Sequence, residues 1–487
     1  MSKLIQITNL LKKGAELNQQ GNFEEALIAY DQVIIIKPDD AEAYYYRGMI
    51  LCQVDRFEEA LISFDQAIVI NPNHAGTFNN RGVALKELSR FNDAIDAYNK
   101  AIAIEPTDAH FYYNRGYALQ KCNHFNEAAV SYEQSIAIKP DYVDAYNNLA
   151  NTFREIKEFK KAFANYDFVI ALKPDHADAH FNKSLLLLLI GNYEEGWQLY
   201  EWRWKQKHNI NSRRHYKKPL WLGNESLIDK TLLITIEQGF GDYIQFIRYA
   251  LLVQKLDVKV ILEVPSILIS VVATLKGQFT LVETGKPLPD FDYHCPVASL
   301  PLAFKTTLKS IPGELPYLYA NENCKKKWGK KLGKKTITRI GLVWAGNPDH
   351  TNDYNRSLLL KQFSSLLTLP FEFHSLQKDL REVDAQTLID FPDLYQHQDE
   401  LHDFSDTAAL IDAMDIIISV DTSVAHLAGA MGKKLWLLLP YLPDFRWMLD
   451  REDSPWYPCA ILYRQKKIND WDSALEKLKA DLLKLTN

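Results

Sequence analysis

The sequence predicts an α-helical solenoid followed by an α/β region of two similar halves, and three observations lead to this fold class. The first is a repeat of 34 residues in about the first two hundred residues. The second is a β-branched run from Thr231 that passes through a glycine turn into an apolar helix. The third is the stretch 415–440, which has the pattern strand, tight turn, helix, strand. The length of 487 residues fits about three domains.

The repeat is defined by residue types that recur at fixed positions. Proline, glycine, alanine and an aromatic residue each recur every 34 residues. The members of these four series are Pro38, Pro72, Pro106, Pro140 and Pro174; Gly14, Gly48, Gly82 and Gly116; Ala26, Ala60, Ala94, Ala128 and Ala162; and Tyr30, Phe64, Tyr98, Tyr132 and Tyr166. This pattern is typical of tetratricopeptide repeats, with two helices per repeat, small residues where they cross and proline after the second. We predict a solenoid over 1–206, with repeats at 7–40, 41–74, 75–108, 109–142 and 143–176 and a degenerate sixth at 177–206. Trp197 in the sixth repeat is expected to dock the solenoid end, because that end must be covered.

Asparagine occupies the sixth position of successive repeats, at Asn80, Asn114, Asn148 and Asn182. The first helices of such repeats line a concave groove, and an amide both donates and accepts hydrogen bonds. The series therefore predicts a groove that binds the backbone of an extended peptide from a protein partner. The alternative is that asparagine is simply common at this position in ordinary repeats.

Composition and charge exclude several classes of function. The net charge is −6, with −7 in residues 1–206 and +1 in the remainder. Neither part has the basic surface of a nucleic-acid-binding protein. No apolar run approaches the roughly 18 residues of a membrane span, so we predict no transmembrane segment, and the polar N-terminus predicts no signal peptide. The five scattered cysteines lack metal-site spacing and indicate a reducing, cytoplasmic location.

Two basic segments separate the predicted domains. The first lies in the linker 207–230, and the second, with seven lysines, lies in the linker 323–337. We interpret both as solvated linkers. The alternative is contact with a membrane surface or with an anionic acceptor.

The first half of the α/β region, 231–322, opens with a βα unit whose turn contains Gly239 and Gly241. Glycines in such a turn let the backbone approach a ligand closely, so both are candidate binding residues. Asp242 follows at the start of the helix. A carboxylate in this position can act as a general base or only as a helix cap.

The second half, 338–487, begins with a strand and a turn that carries Gly346 and Asn347. The polar loop that follows contains Arg356, with His350 behind it, and the planar guanidinium of arginine suits a diphosphate. The next strand ends at Gln377, whose amide could contact a base or a ribose. Arginines and aromatic residues after the last strand form either a cleft lip or a surface that packs against the other half, and packing is favoured. They are Arg446, Trp447, Arg451, Trp456 and Tyr457.

The stretch 415–440 places Asp421, Thr422 and Ser423 between a buried strand and a helix. Open α/β sheets bind ligands at the carboxyl ends of their strands, and free N–H groups at a helix start favour phosphate. His426 lies one turn into the helix and could reach the same pocket. The alternative is that the first three residues cap the helix and His426 only packs.

The run Asp421–His426 resembles the nucleotide-sugar-binding segment of the ADP-heptose:lipopolysaccharide heptosyltransferases, an Asp-Thr-x-x-x-His sequence. Its first, second and sixth residues match, and Gly241-Asp242 lies where that family carries its catalytic aspartate. The resemblance covers about 231–465. It implies a GT-B fold of two facing Rossmann-like halves. It also implies an inverting, metal-independent transfer from a nucleoside-diphosphate sugar, without a cofactor.

The resemblance implies that Asp242 accepts the proton of the acceptor hydroxyl. The candidates for binding the nucleotide sugar are Gly239, Gly241, Gly346, Asn347, Arg356, Gln377, Asp421, Thr422, Ser423 and His426. The family's usual lysine for the leaving diphosphate is absent at the matching position, and Arg356 is the predicted substitute. An Asp-x-Asp metal signature at 290–292 lies in a proline-rich loop, 286–296, and we predict no metal there. The terminal helix, 471–485, is expected to cross back between the halves.

These expectations describe a cytoplasmic glycosyltransferase whose repeats select or recruit the acceptor, a protein or a glycan. Repeats ahead of a GT-B domain, with an asparagine series, are also similar to the O-linked N-acetylglucosamine transferases. The rival hypothesis is a catalytically inactive GT-B body that serves with the repeats as a protein-interaction scaffold. A lipopolysaccharide-core enzyme is disfavoured, because that task does not call for five repeats. The sequence leaves the sugar, the nucleobase and the acceptor open.

Overall fold

The computed structural model describes residues 2–207, 214, 216–237, 239–350 and 352–486. The chain forms two compact units, residues 1–179 and 180–487. The first unit is helical, and the second holds the α/β region together with most of the sixth repeat. The sequence-based boundary after residue 206 differs from this division, because the side chains of 193–205 pack within the second unit.

Paired helices of nearly constant length build the solenoid. They are α1 (Ser2–Gln19), α2 (Phe23–Ile36), α3 (Ala41–Gln53), α4 (Phe57–Ile70), α5 (Ala75–Glu87), α6 (Phe91–Ile104), α7 (Ala109–Lys121), α8 (Phe125–Ile138), α9 (Val143–Glu155) and α10 (Phe159–Leu172). Helices α11 (Ala177–Leu189) and α12 (Tyr193–Tyr200) follow in the sequence. Each second helix from α2 to α10 ends two residues before the proline of its repeat, since proline cannot continue a helix.

Glycine recurs in the first helix of a repeat because an aromatic ring of the second helix packs directly against it. A Cβ atom at Gly82 would lie 2.5 Å from the Tyr98 ring, and one at Gly48 would lie 2.6 Å from the Phe64 ring. Both rings are fully buried. The prediction of small residues where the helices cross is therefore confirmed.

A residue in the left-handed backbone conformation follows the first helix of each repeat. Its φ lies between +59° and +87° at Gly21, Asp55, Ser89, Asn123, Lys157 and Gly191, which are 34 residues apart. This conformation costs about 1–2 kcal/mol for a residue with a Cβ. The solenoid therefore carries mild backbone strain at the same point of several repeats. Sequence analysis missed this series because the residue type varies.

Two parallel sheets form the framework of the α/β region. The strands are β1 (Thr231–Thr235), β2 (Lys259–Val264), β3 (Phe279–Glu283), β4 (Tyr293–Pro296), β5 (Arg339–Val343), β6 (Glu372–Ser375), β7 (Ile416–Val420), β8 (Leu435–Leu439) and β9 (Ala460–Arg464). The order is β3-β2-β1-β4 in one sheet and β6-β5-β7-β8-β9 in the other. The connections reverse direction between β1 and β4 and between β5 and β7. Open α/β sheets bind ligands at such points, beyond the carboxyl ends of the strands.

Strands β7 and β8 have the bounds that the sequence predicts, whereas β4 corrects the prediction of a loop over 286–296. Strand β4 pairs in parallel with β1. Asp292, in the Asp-x-Asp sequence just before it, accepts a hydrogen bond of 2.8 Å from the Thr231 N–H. This carboxylate therefore fixes the start of β1. Strands β3 and β9 were not predicted, because neither stands out as a separate apolar run.

The helices of the α/β region are mostly short. They are α13 (Phe240–Phe246), α14 (Ala250–Val253), α15 (Ile269–Val272), α16 (Leu300–Ala303), α17 (Glu322–Leu332), α18 (Asp353–Arg356), α19 (Ser364–Leu367), α20 (Ala385–Asp390), α21 (Phe404–Asp412), α22 (Ser423–Ala430) and α23 (Trp471–Leu483). None of the described helices combines the length and apolar character needed to cross a bilayer.

Two of these helices differ from what the sequence suggested. Helix α17 occupies the predicted lysine-rich linker, and it is anchored because buried Trp328 donates a 3.1 Å hydrogen bond from Nε1 to Asp406. Helix α23 packs in the core of the second sheet, where Leu478 and Trp436 belong to one apolar cluster. The expectation that it crosses back between the halves is therefore wrong. Of the predicted linker 207–230, residues 208–213 and 215 lie outside the described residues.

Helix α12 is part of the α/β unit. The Trp197 ring, 2% exposed, packs edge-on against Phe246, Phe445 and Trp456 at centroid distances of 5.7–6.4 Å. Tyr193 Oη accepts a 3.1 Å hydrogen bond from Trp456 Nε1. The partners of the Trp197 ring follow strands of both sheets, and all of them lie with Trp197 in the second unit.

Candidate functional site

Two helix starts from the two sheets meet directly. Helix α13 begins after β1, and helix α22 begins after β7, so both leave the carboxyl end of a central strand. A Cβ atom at Gly241 would lie 2.8 Å from His426 Cδ2 and 3.6 Å from the Ser423 Cα. Glycine at 241 is therefore required by the approach of the other helix. The structure thus brings together two motifs that stand about 180 residues apart in the sequence.

Asp242 projects from the first turn of α13 and forms an ion pair. Its Oδ1 lies 2.6 Å from Arg446 Nη2, and its side chain is 35% exposed. Gly239, with φ of +83°, makes the turn that precedes the helix. Desolvation raises the pKa of the Asp242 carboxyl, and the charge of Arg446 acts in the opposite direction.

Arg446 packs against the other half, as the sequence favoured for this segment, but its pairing with Asp242 was not predicted. It lies in the 3₁₀ turn Phe445–Trp447 after β8 and is 6% exposed. Besides Asp242 it contacts Asp444 Oδ1 through Nη1 at 2.8 Å and Gln245 Oε1 through Nε. We call Arg446 with its three acceptors the Arg446 cluster. The only signal in the sequence was the position of Asp444 and Arg446 shortly after a buried strand.

Asp421 stands at the carboxyl end of β7 with a side chain that is 16% exposed. Desolvation raises the pKa of its carboxyl to about 6, and repulsion by Asp444 adds to the shift. Thr422 is the N-cap of α22, and its Oγ1 lies 3.3 Å from Ser419 Oγ. Thr422 makes no side-chain hydrogen bond to the N–H groups at the start of α22.

His426 is neutral and buried behind the helix start. Burial, together with nearby arginines that include Arg446 and Arg356, holds the pKa of its imidazole well below the usual range. Its Nδ1 lies 3.0 Å from Tyr457 Oη, and its Nε2 lies 3.6 Å from Asp421 Oδ1. The ring therefore supports both the Gly241 turn and Asp421.

Arg356 lies beside the start of α22. A residue that replaces the family's lysine as a ligand of the leaving diphosphate is expected to lie there. Its Nη1 donates a 3.0 Å hydrogen bond to the Asp421 carbonyl. A Cβ atom at Gly346 would lie 2.8 Å from Arg356 Nη2, so glycine lets the guanidinium cross this turn. The buried Nε of Arg356 makes no hydrogen bond among the described residues, and Asp353 Oδ1 lies 3.9 Å from it. Burial lowers the pKa of neighbouring His350, with the charge of Arg356 as a second cause.

Gln377 and Asn347 have structural contacts. Gln377 Oε1 accepts from the Ala345 N–H at 3.2 Å, and its Nε2 donates to the Ala345 carbonyl at 3.0 Å. Both ends of this amide are therefore used to fix the turn before Gly346, and the side chain is only 6% exposed. Asn347 is exposed, and its Oδ1 accepts from the Asp349 N–H at 3.0 Å.

A further buried cation lies behind the meeting point of the helices. Arg248 is 2% exposed. Its guanidinium donates to the carbonyls of Gln245, Pro312 and Trp456 and to Tyr317 Oη, over 2.7–3.1 Å. These acceptors are neutral, so the positive charge of Arg248 is not cancelled by them. Together with Arg356 and Arg446 it favours an anionic ligand at this place.

The asparagine series of the solenoid has partners inside the solenoid. Asn80 Nδ2 donates to Tyr45 Oη at 3.2 Å, and Asn148 Nδ2 donates to Tyr113 Oη at 3.1 Å. Asn114 Nδ2 donates to the side-chain oxygen of Asn79 at 2.9 Å. Each bond spans 35 residues and joins the first helices of neighbouring repeats. The amide N–H groups of these three residues therefore hold the repeats together, and Asn182 lies half-buried in α11.

Arginines one position further along also link neighbouring repeats. Arg47 contacts Asp31 at 2.8 Å and Ser63 at 2.7 Å, and each partner lies 16 residues away in a second helix. Arg81 contacts Asp65 in the same way, at 2.7 Å. The polar residues of the groove are thus part of the framework of the solenoid.

Among the described residues, no group of three or more histidine, cysteine, aspartate or glutamate side chains is arranged to hold a metal ion. The carboxylates of the Arg446 cluster are instead bound by arginine.

Family models match the first part of the chain. A model described as TPR repeat matches residues 14–54, 84–123 and 121–157, and one described as tetratricopeptide repeat matches residues 41–74. This part of the chain consists of tetratricopeptide repeats. The match at 41–74 coincides with the second predicted repeat.

Protein FlbA of Caulobacter vibrioides is 23% identical over 327 residues, which are 62% of this chain and 54% of FlbA. The chain therefore spans about half the length of this curated relative. Because the repeats over 1–206 make up less than half of the chain, the similarity extends into the α/β region.

Two solved structures are similar to the solenoid. MamA is 23% identical with a TM-score of 0.33, and the match covers 34% of this chain and 96% of MamA. YrrB, described as a TPR protein with an unusual peptide-binding site, is 23% identical with a TM-score of 0.34, over 36% of this chain and 91% of YrrB.

Proposed function

We propose that the α/β region is an inverting, metal-independent glycosyltransferase of the GT-B type. The observation that carries this proposal is the contact of Gly241 with His426 and Ser423. It places the candidate base Asp242 beside the start of α22, at the carboxyl ends of two central strands. A nucleotide-sugar donor bound at the start of α22 would therefore lie next to the base on α13, with each sheet contributing one side of the cleft.

The charges around the site suit a nucleoside diphosphate as leaving group. Arg356 crosses the Gly346 turn and reaches the Asp421 carbonyl at the end of β7. Its buried Nε makes no hydrogen bond and lies 3.9 Å from Asp353 Oδ1, so a ligand oxygen would compete with that carboxylate. Fixed guanidinium groups and helix N–H groups stabilise the charge that develops as the glycosidic bond breaks.

The chemistry requires one base and no metal. The acceptor oxygen attacks the anomeric carbon from the face opposite the diphosphate, and the bond from that carbon to the diphosphate oxygen breaks. The electron pair leaves with the diphosphate. The proton of the acceptor hydroxyl passes to the Asp242 carboxylate, and the configuration at the anomeric carbon is inverted.

The repeats give the protein a binding surface for a protein partner, and we propose that this partner is, or presents, the acceptor. The amide N–H groups of Asn80, Asn114 and Asn148 are engaged between repeats. A peptide in the groove would therefore meet the side-chain oxygens of Asn114 and Asn148 and the neighbouring tyrosines, because the Asn80 oxygen accepts from Asn79 Nδ2 at 3.2 Å. Removing the amides would weaken the solenoid as well as the groove.

The test is calorimetric titration of the full chain with ADP, GDP and UDP. We expect one diphosphate to bind with a micromolar Kd, about 7–8 kcal/mol, and its binding to be lost in Arg356→Ala and Asp421→Ala. Arg451→Ala is the matched control, because Arg451 pairs with Asp453 at 2.6 Å outside the cluster. Absence of binding at millimolar nucleotide would exclude the donor site.

The rival function is a scaffold with an idle α/β body. The observation that favours it is the 2.6 Å pairing of Asp242 with Arg446, because the carboxylate is then occupied by an ion pair. Product formation by the full chain, lost in Asp242→Asn but with nucleotide affinity retained, would separate the enzyme from the scaffold.

A further inference from the structure

We propose that Arg446 is a second ligand of the leaving diphosphate and that it keeps Asp242 paired until the donor binds. This inference rests on the proposed function and adds a residue and an order of events to it. With the donor site empty, the guanidinium holds Asp242. When a diphosphate enters, the guanidinium transfers to it, and Asp242 becomes free to accept the proton of the acceptor.

The geometry of the Arg446 cluster carries this proposal. All three nitrogens of the buried guanidinium have acceptors, and two of these acceptors, Asp242 and Gln245, lie on α13. Arg446 itself belongs to the turn after β8. The ion pair therefore links the segment that carries the candidate base to the sheet that carries Asp421 and Arg356.

The balance of charge shows why the pair would open. Asp242 and Asp444 both compete for Arg446, and Asp421 lies close enough to Asp444 for repulsion between them to raise its pKa. The three carboxylates thus face three guanidinium groups, those of Arg446, Arg356 and Arg248, all of which lie near His426. A diphosphate offers several oxygens to a planar guanidinium and binds it bidentately, so it competes well with one oxygen of Asp242.

The aromatic surroundings let Arg446 keep its place while its hydrogen bonds change. Its guanidinium lies 4.3 Å from the Phe445 ring centroid and 5.3 Å from that of Phe246. Both rings also pack on Trp197. The cation therefore rests on a fixed apolar wall, and exchange of partners needs only a rotation of the side chain.

The consequence is an unusual effect of removing the base. If Asp242 competes with the diphosphate for Arg446, then Asp242→Asn should bind inorganic pyrophosphate about fivefold or more tightly than the wild-type chain, a typical size for coupling between sites. The gain should vanish when the asparagine is introduced into an Arg446→Lys chain, because lysine lacks the fork that both acceptors use.

The experiment is a double-mutant cycle on the full chain, with pyrophosphate and the diphosphates as probes in calorimetry. Circular dichroism checks that each variant is folded, and Arg451→Lys is the matched control in the same loop. Tighter binding by Asp242→Asn only when Arg446 is present supports the proposal. An equal gain in both backgrounds means general charge repulsion and overturns it, as does no change.

The two proposals fail in different ways. If one diphosphate binds and Arg356→Ala abolishes binding, the proposed donor site is supported, regardless of the result of the double-mutant cycle. A cycle without coupling then removes only the role of Arg446. If neither pyrophosphate nor any diphosphate binds to the wild-type chain, both proposals are wrong.

Discussion

The contacts inside the solenoid and those inside the α/β region differ in the number of residues that separate the partners along the sequence. In the repeats, the polar contacts between helices recur at separations of 16 and 35 residues. In the α/β region, Arg446 reaches Asp242 across 204 residues, and Arg248 reaches the Trp456 carbonyl across 208. The first kind of contact repeats and is shared among many sites. Contacts of the second kind do not recur at a fixed interval, and the candidate catalytic residues lie among them.

This difference predicts that single substitutions have larger effects in the α/β region. The largest is expected for Trp197→Ala, because the ring fills the space between Phe246, Phe445 and Trp456. Loss of a buried tryptophan costs about 3–5 kcal/mol. Hydrogen exchange read by mass spectrometry should show faster exchange in β1, α13 and the loop after β8.

The control for this prediction is Trp202→Ala. Trp202 stacks on His180 at 3.8 Å between ring centroids but is only partly buried. Its removal should have a much smaller effect. Equal effects of the two substitutions would mean that α12 is not an integral part of the α/β unit.

The second prediction concerns pH and belongs to Asp421. Because the folded state raises the pKa of this carboxyl to about 6, the folded protein holds the proton more tightly than the unfolded chain. The free energy of unfolding should therefore fall as the pH rises from about 4 to about 6, by at most about 3 kcal/mol. Asp421→Asn should remove this slope and increase stability at pH 7. A slope that persists in the variant would assign the pH dependence to other groups.

In the solenoid, Gly82→Ala should destabilise by about 1–3 kcal/mol. The new Cβ would lie 2.5 Å from the buried Tyr98 ring, and the ring has no space to move away. Thermal unfolding of the first unit is the measurement. Gly329→Ala in α17 is the matched control, because a Cβ there meets nothing within 4 Å. It should stabilise its helix by about 0.5–1 kcal/mol.

The smallest expected effect is a gain. Ser89→Gly should stabilise the solenoid by about 0.5–1 kcal/mol, because φ at this residue is +59° and glycine adopts that conformation without strain. Ser89→Ala should bring no gain. A loss of stability in Ser89→Gly would show that the serine side chain contributes more than the backbone strain removes.

Sequence reasoning was most successful where the pattern is local. The 34-residue period fixed the repeats, and apolar runs bounded by Asp415 and Gly432 fixed β7, α22 and the turn to β8. It also placed Gly241, Asp242 and His426 on elements that the structure brings together. Their proposed roles remain predictions.

Sequence reasoning failed where the contact partner is distant. Nothing in the local sequence distinguishes Arg446 from Arg451. In the structure, Arg446 pairs with Asp242, whereas Arg451 pairs with Asp453, which follows Met448 by five residues in the same loop. The amide of Gln377 was a candidate for contacting the base or ribose of a nucleotide. In the structure it forms hydrogen bonds with the backbone just after the carboxyl end of β5. The asparagine series was interpreted as a groove feature because the tyrosine partner lies in another repeat.

The periodic bonds of the solenoid also bear on how such a chain changes in evolution. If residues 75–108 were lost by unequal recombination, Asn114 would come to face Tyr45, as Asn80 does now. Arg115 would face Asp65, the present partner of Arg81. The new junction would thus be complementary from the moment it formed. The number of repeats can therefore change in whole steps of 34 residues without loss of these bonds.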